Sequence, residues 1–211
     1  MYSGMRITAS LVLGLVAELS LTGQLWAADA SPQTGTILHH HLVVELIPER
    51  HELLAQDRMD LAVGERQETV SMTLAPTLQV SSLTMDSADG QRSLAWRRAA
   101  GADGAASQVV VTLPAIHASQ LTLHWTYRGL LNDPPKEPRH LRFVTPSETS
   151  GHIGPEGVYV SSETQWYADL DGSVSTFQVS ATVPRDWSVV TQGRKTGERT
   201  GPRARRELER S

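Results

Sequence analysis

"LTLHWTYR", Leu121 to Arg128, is written in period two: Leu121, Leu123, Trp125 and Tyr127 alternate with Thr122, His124, Thr126 and Arg128. Successive side chains of a strand point to opposite faces, so this spacing predicts a strand with one apolar face buried and one polar face in water. The pattern returns in Phe177, Val179, Ala181 and Val183, set against Gln178, Ser180 and Thr182. Shorter versions occur at Leu42, Val44 and Leu46 and at Val70, Met72 and Leu74, while Val109 to Leu113 is a β-branched run suited to a central strand. No stretch carries a convincing helical period.

Turn signals punctuate these runs at short, fairly regular spacing: "IPER", "LAP", "SADG", "GADGAAS", "LNDPPKEP" and "PRDW". Eight or nine strands with antiparallel neighbours and hairpin links make the fold class all-β, an antiparallel β-sandwich. One long connection, Leu130 to Gly157, is expected to stay out of any central strand because of its prolines and glycines, and long loops on rigid sandwiches often carry function.

The two ends read differently from the middle. Met1 to Arg6 is short and cationic, Ile7 to Ala17 is almost wholly apolar, and Ala28 and Ala30 offer an A-x-A cleavage site. This is the pattern of a secretory signal peptide over residues 1–30, with cleavage expected after Ala30 and a periplasmic or secreted destination. Glu18, Gln24 and Asp29 interrupt the stretch, so no membrane span is expected after cleavage. The 211 residues include no cysteine, so the domain expected at residues 31–193 must hold without disulfides.

Residues 194–211 hold seven Lys or Arg and three acids, against 19 and 23 in the whole chain, which leaves the body acidic. Only Ala204 and Leu208 are apolar there, and the expectation is a basic, solvated, disordered tail. No aromatic residues interleave its charges, and the balance of charge elsewhere excludes a nucleic-acid partner.

Several residue groups could carry chemistry. His51 and Glu52 spell the first half of the H-E-x-x-H zinc helix, but Ala55 stands where the second histidine is needed, and the pair is expected to face solvent in the turn between the first two strands. His39 and His41, with Glu45 further along the same strand face, are chemically able to hold a divalent metal and would make a metalloenzyme if other ligands joined them. Asp169 and Asp171 could form a carboxylate pair, yet "ADLDGS" is most simply a turn. Tyr159, Trp166 and Tyr167 bracket that turn and either line a binding surface or fill the core. No G-x-S-x-G occurs, which disfavours a serine hydrolase.

"ILHHHLVVELIPERHELLAQDRMDLAV", then Tyr127 and Gly129 in a Y-x-G strand end, Gly157 to Tyr159 with Trp166 and Tyr167, and Phe177 to Trp187 in an F-x-V-x-x-x-V-P-x-x-W strand follow one another in a familiar order. Over about Thr36 to Gly193 the chain resembles the N-terminal domain of the aminopeptidase N family of zinc metallopeptidases, in its bacterial exported branch. The resemblance implies a saddle-like β-sandwich that packs on a thermolysin-like catalytic domain, which binds zinc and peptide through G-x-M-E-N and H-E-x-x-H motifs. Neither motif occurs in these residues. The resemblance therefore implies a non-catalytic domain, expected as a truncated product, with no catalytic residue or cofactor of its own. Gln165, in "ETQWY", matches the family residue that reaches the pocket for the substrate's amino terminus. A free-standing periplasmic β-sandwich binding module is the alternative.

Overall fold

The computed structural model describes residues 35–199 and 204–210, apart from 65, 101–106, 116–118, 135–148 and 150. The expected signal peptide, the "GADGAAS" turn up to Ala106 and most of the long connection lie outside the described residues. In chain order the strands are β1 (Thr36–Ile47), β2 (Glu52–Ala62), β3 (Thr69–Thr73), β4 (Leu78–Ser87), β5 (Gly90–Ser93), β6 (Trp96–Ala100) and β7 (Ser107–Thr112). They continue as β8 (Gln120–Leu130), β9 (Asn132–Asp133), β10 (Gly151–Gly154), β11 (Gly157–Tyr159), β12 (Thr176–Val183), β13 (Arg194–Arg199) and β14 (Ala204–Arg210). The only helical pieces among the described residues are 3-10 turns at Pro48–Arg50 and Ser162–Thr164, and no helix there is long and apolar enough to cross a membrane.

The strands form an eight-stranded sheet in the order β13-β14-β12-β1-β2-β8-β4-β5 and two three-stranded sheets, β3-β7-β6 and β11-β10-β9. The fold class is all-β, as the alternation predicts. The stretch Leu121 to Arg128 lies in β8, whose eleven residues pair one for one with β2. Leu121, Leu123, Trp125 and Tyr127 are buried, as are Leu53, Ala55, Met59 and Leu61 opposite them. Val70 and Met72 of β3 and Val109 and Val111 of β7 join the same apolar cluster, giving the second layer of the sandwich. Each such side chain stabilises the fold by roughly 1.5–3 kcal/mol through burial. β7, the run Val109 to Leu113 with its neighbours, is the central strand of its sheet.

Glycine marks two close approaches. A Cβ on Gly129 would collide with the Thr77 carbonyl, so the Y-x-G strand end lets β8 run against the turn before β4. A Cβ on Gly154 would meet the side chains of His152 and Glu156. The "LAP" turn is held from across the sheet by Arg98, whose guanidinium donates to the carbonyls of Leu74, Ala75 and Leu78.

Four expectations are corrected. β1 and β12 pair in parallel, not antiparallel, because β12 arrives after a long excursion rather than through a hairpin. The connection from Leu130 to Gly157 does contribute a central strand: β10 lies between β9 and β11, and its four residues, two of them glycines, are all buried. The basic tail is not a solvated coil over its described residues. β13 and β14 pair with each other and β14 with β12, extending the large sheet. Main-chain hydrogen bonds suffice for an edge, and charged side chains are the normal dress of an edge strand. Finally, the turn at "IPER" is present, with His51 in the left-handed region at φ 54°, but His51 is half-buried and hydrogen-bonds the Ile153 carbonyl at 2.6 Å instead of facing solvent. Glu52 pairs with Arg50 at 2.7 Å.

Candidate functional site, an apolar cleft over a buried histidine

The buried faces of β1 and β12 continue one another across their parallel register, His40 beside Phe177, Leu42 beside Val179 and Val44 beside Ala181. This shared wall is one side of a cleft of about 870 Å³. The other side is built from β11 and its flanks, Trp166 and Tyr167, and the segment from Trp187 to Gln192. Apolar side chains dominate the lining, and Tyr159 and Val190 stand 56% and 92% exposed at its rim. Concave, largely apolar space with a few polar groups is the usual form of a binding site.

His40, in the lining of the cleft, belongs to a buried polar pair. His40 Nδ1 and Asp57 Oδ2 are 2.8 Å apart, and both side chains are essentially inaccessible. The Asp57 carboxylate accepts from Nδ1. The Tyr167 ring meets the imidazole edge-on at 5.3 Å and packs in turn against Trp166 at 4.9 Å. His40 Nε2, Asp57 Oδ1 and the Tyr127 hydroxyl are buried without hydrogen-bond partners among the described residues. Burial pushes the Tyr127 hydroxyl well above its usual range, and the charge of Asp57 and the nearby Tyr167 add to the effect. Tyr127 therefore stays neutral.

Beside the cleft, His152 holds β10 and β11 together. Its Nε2 is 2.6 Å from Glu156 Oε1, and its ring lies 5.5 Å from that of His51. The Glu156 carboxyl is held below its ordinary value, chiefly by a hydrogen bond from its own backbone N–H and then by His152.

The sequence-predicted residues fall in different places. Tyr159, Trp166 and Tyr167 do line one surface, that of the cleft. Gln165 closes the Ser162–Thr164 turn in the left-handed region at φ 52°, with its backbone N–H on the Ser162 carbonyl and its own carbonyl accepting from Ala75. It sits half-buried beside Trp166. Asp171 lies in a turn, with Gly172 following at φ 72°, whereas Asp169 forms an isolated β-bridge to Thr73 through backbone hydrogen bonds and its Oδ1 accepts the Leu170 N–H. Burial raises the Asp169 carboxyl above its ordinary value, against the Leu170 N–H and His40, which lower it.

His39 and His41 lie on the open face of β1, away from the cleft. His39 Nδ1 is 2.7 Å from Thr176 Oγ1, and burial lowers its basicity while Asp60 opposes that. Among the described residues no group of three or more His, Asp or Glu is arranged to hold a metal ion, so His39, His41 and Glu45 gain no further ligand. The residues that sequence reasoning missed, His40 and Asp57, had a visible signal. Both are polar residues standing in the apolar phase of an alternating strand.

No protein-family model matches the sequence, and neither does the sequence of any curated protein. Solved structures do match in fold. A two-domain M1 zinc metallopeptidase variant bound to L-arginine superposes with a TM-score of 0.60 at 17% identity, over 86% of this chain and 40% of that one. An M1 zinc metallopeptidase from Deinococcus radiodurans gives 0.59 at 19% identity over the same shares. Yeast LTA4 hydrolase in complex with bestatin gives 0.56 at 13%, over 83% of this chain and 26% of the hydrolase. The chain thus has the fold of the N-terminal β domain of M1 zinc metallopeptidases and spans about 40% of the length of the first of these structures.

Proposed function

We propose that this chain acts as the non-catalytic N-terminal domain of an exported aminopeptidase N-like zinc metallopeptidase, giving a catalytic domain a surface to dock on. The observation that carries the reading is the extent of the structural match. It takes in 83–86% of this chain against 26–40% of the solved metallopeptidases. The solved proteins of this fold are zinc metallopeptidases, and on this reading zinc and the peptide-cleaving groups sit in that catalytic domain. Peptide is a substrate only in its presence, and Gln165 is the residue of this chain that would reach the substrate's amino terminus there. The signal-peptide pattern of residues 1–30 supports a periplasmic or secreted location.

The test is enzymatic and physical. Purified protein is expected to release no amino acid from aminoacyl or peptide substrates with added zinc, and to bind in trans to an M1 catalytic domain expressed without its own β domain. Zinc-dependent hydrolysis by this chain alone would overturn the reading. A reporter fused to residues 1–30 should be exported and processed.

A second reading is a free-standing exported binding module, and the cleft over His40 favours it. It differs in expecting a saturable ligand for the cleft without any catalytic domain.

A further inference from the structure

The large sheet shows its polar face on the side away from the core. There strand register sets Gln178, His41, Arg58, His124 and Thr84 side by side on β12, β1, β2, β8 and β4. Directly opposed residues share a face, so two imidazoles flank a guanidinium at the spacing of neighbouring strands, about 4.7–4.9 Å. A depression of about 360 Å³ lies over this row, with Gln56, Gln91 and Thr126 also in its lining. Two carboxylates lie against the row. Asp60 Oδ1 lies 3.5 Å from Arg58 Nη2, and Asp86 Oδ1 lies 2.8 Å from His124 Nε2. His41 has no hydrogen-bonding or ion-pairing partner among the described residues.

We propose that the row His41, Arg58 and His124 binds a phosphate group. A guanidinium presents a fork of N–H donors matched to phosphate oxygens, the His41 imidazole supplies a further donor, and His124, its Nε2 on Asp86, forms the far wall. Gln56, Gln91 and Thr126 are hydrogen-bonding groups able to take the remaining oxygens. The charged groups near the row are His39 and Glu45 on β1, Asp60 on β2, Asp86 on β4 and Arg128 on β8. β12 faces it with uncharged Gln178. Asp60 and Asp86 offset part of the attraction, and it is the directed N–H fork of Arg58 that distinguishes phosphate from chloride.

The full chain is titrated with inorganic phosphate and, separately, with glycerol phosphate, against chloride at matched ionic strength, while the imidazole resonances of all histidines are followed by NMR. The expected result is saturable movement of the His41 and His124 resonances together. Arg58→Gln should weaken binding by about tenfold or more with an unchanged thermal midpoint. His41→Gln should weaken it less. Saturation by both probes supports a site open to esters, and saturation by inorganic phosphate alone supports a closed one. Equal movement with chloride, or undiminished binding in Arg58→Gln, would overturn the proposal.

Discussion

Asp57 occupies the buried register of β2 among Leu53, Ala55, Met59 and Leu61, and its only compensation within the described residues is His40. Removing one partner of a buried pair strands the other. Asp57→Ala is therefore expected to cost about 3–5 kcal/mol in chemical denaturation. Asp57→Asn, which keeps a carbonyl oxygen as acceptor for Nδ1, should cost clearly less. A loss below about 1 kcal/mol in Asp57→Ala would mean that His40 is satisfied some other way. This pair was half legible in the sequence. The phase of the alternation put both residues inside, but that they meet depends on the β1–β2 register, which local pattern does not encode. The triple His39–His41 drew attention for its chemistry, although its outer two members lie on the open face. Glu156 gives a second residue-scale outcome. Its carboxyl is depressed in the folded state, so the stability it contributes is complete above the ordinary carboxylate range, about pH 5 and higher, and is lost as pH falls through the folded value. Glu156→Gln and the parent protein should differ in denaturation midpoint near neutrality and converge in acid.

At the scale of elements, legibility followed the source of each strand's stability. β8, β12 and β7 are stabilised by apolar side chains, and their spacing or composition announced them. β13 and β14 owe their pairing to the main chain, so a run of arginines and glutamates gave no period to read. Gly201 and Pro202, between two charged runs, were the punctuation that could have suggested a hairpin. β10 escaped notice because glycine begins and ends it, and the reason for Gly154 is a three-dimensional crowding by His152 and Glu156. The hairpin has a measurable consequence. A chain ending at Gly193 leaves β12 as an unprotected edge bearing partly buried Phe177 and buried Val179. It is expected to self-associate in sedimentation or light scattering and to melt at a lower temperature. A monomer with an unchanged midpoint would show that the hairpin contributes nothing to the sheet.

For the whole molecule, the apolar cleft and its exposed rim distinguish a surface that is covered in a larger assembly from one that is open in service. Contiguous exposed apolar surface marks sites of interaction. A hydrophobic dye should bind the isolated chain at the cleft, and a docked catalytic domain should displace it. Leu46→Glu, a charge in the lining, should weaken dye and domain alike, whereas loss of one alone would separate the cleft from the docking face. The parallel pairing of β1 with β12 also bears on how the chain reaches this structure. His39 meets Thr176 across 137 residues of sequence, so the centre of the large sheet closes only after nearly the entire domain is available. Contacts this distant in sequence make folding slow. During that interval β1, paired with β2 along one edge, keeps its other edge open, and that edge is the one for which a chaperone would have to compete.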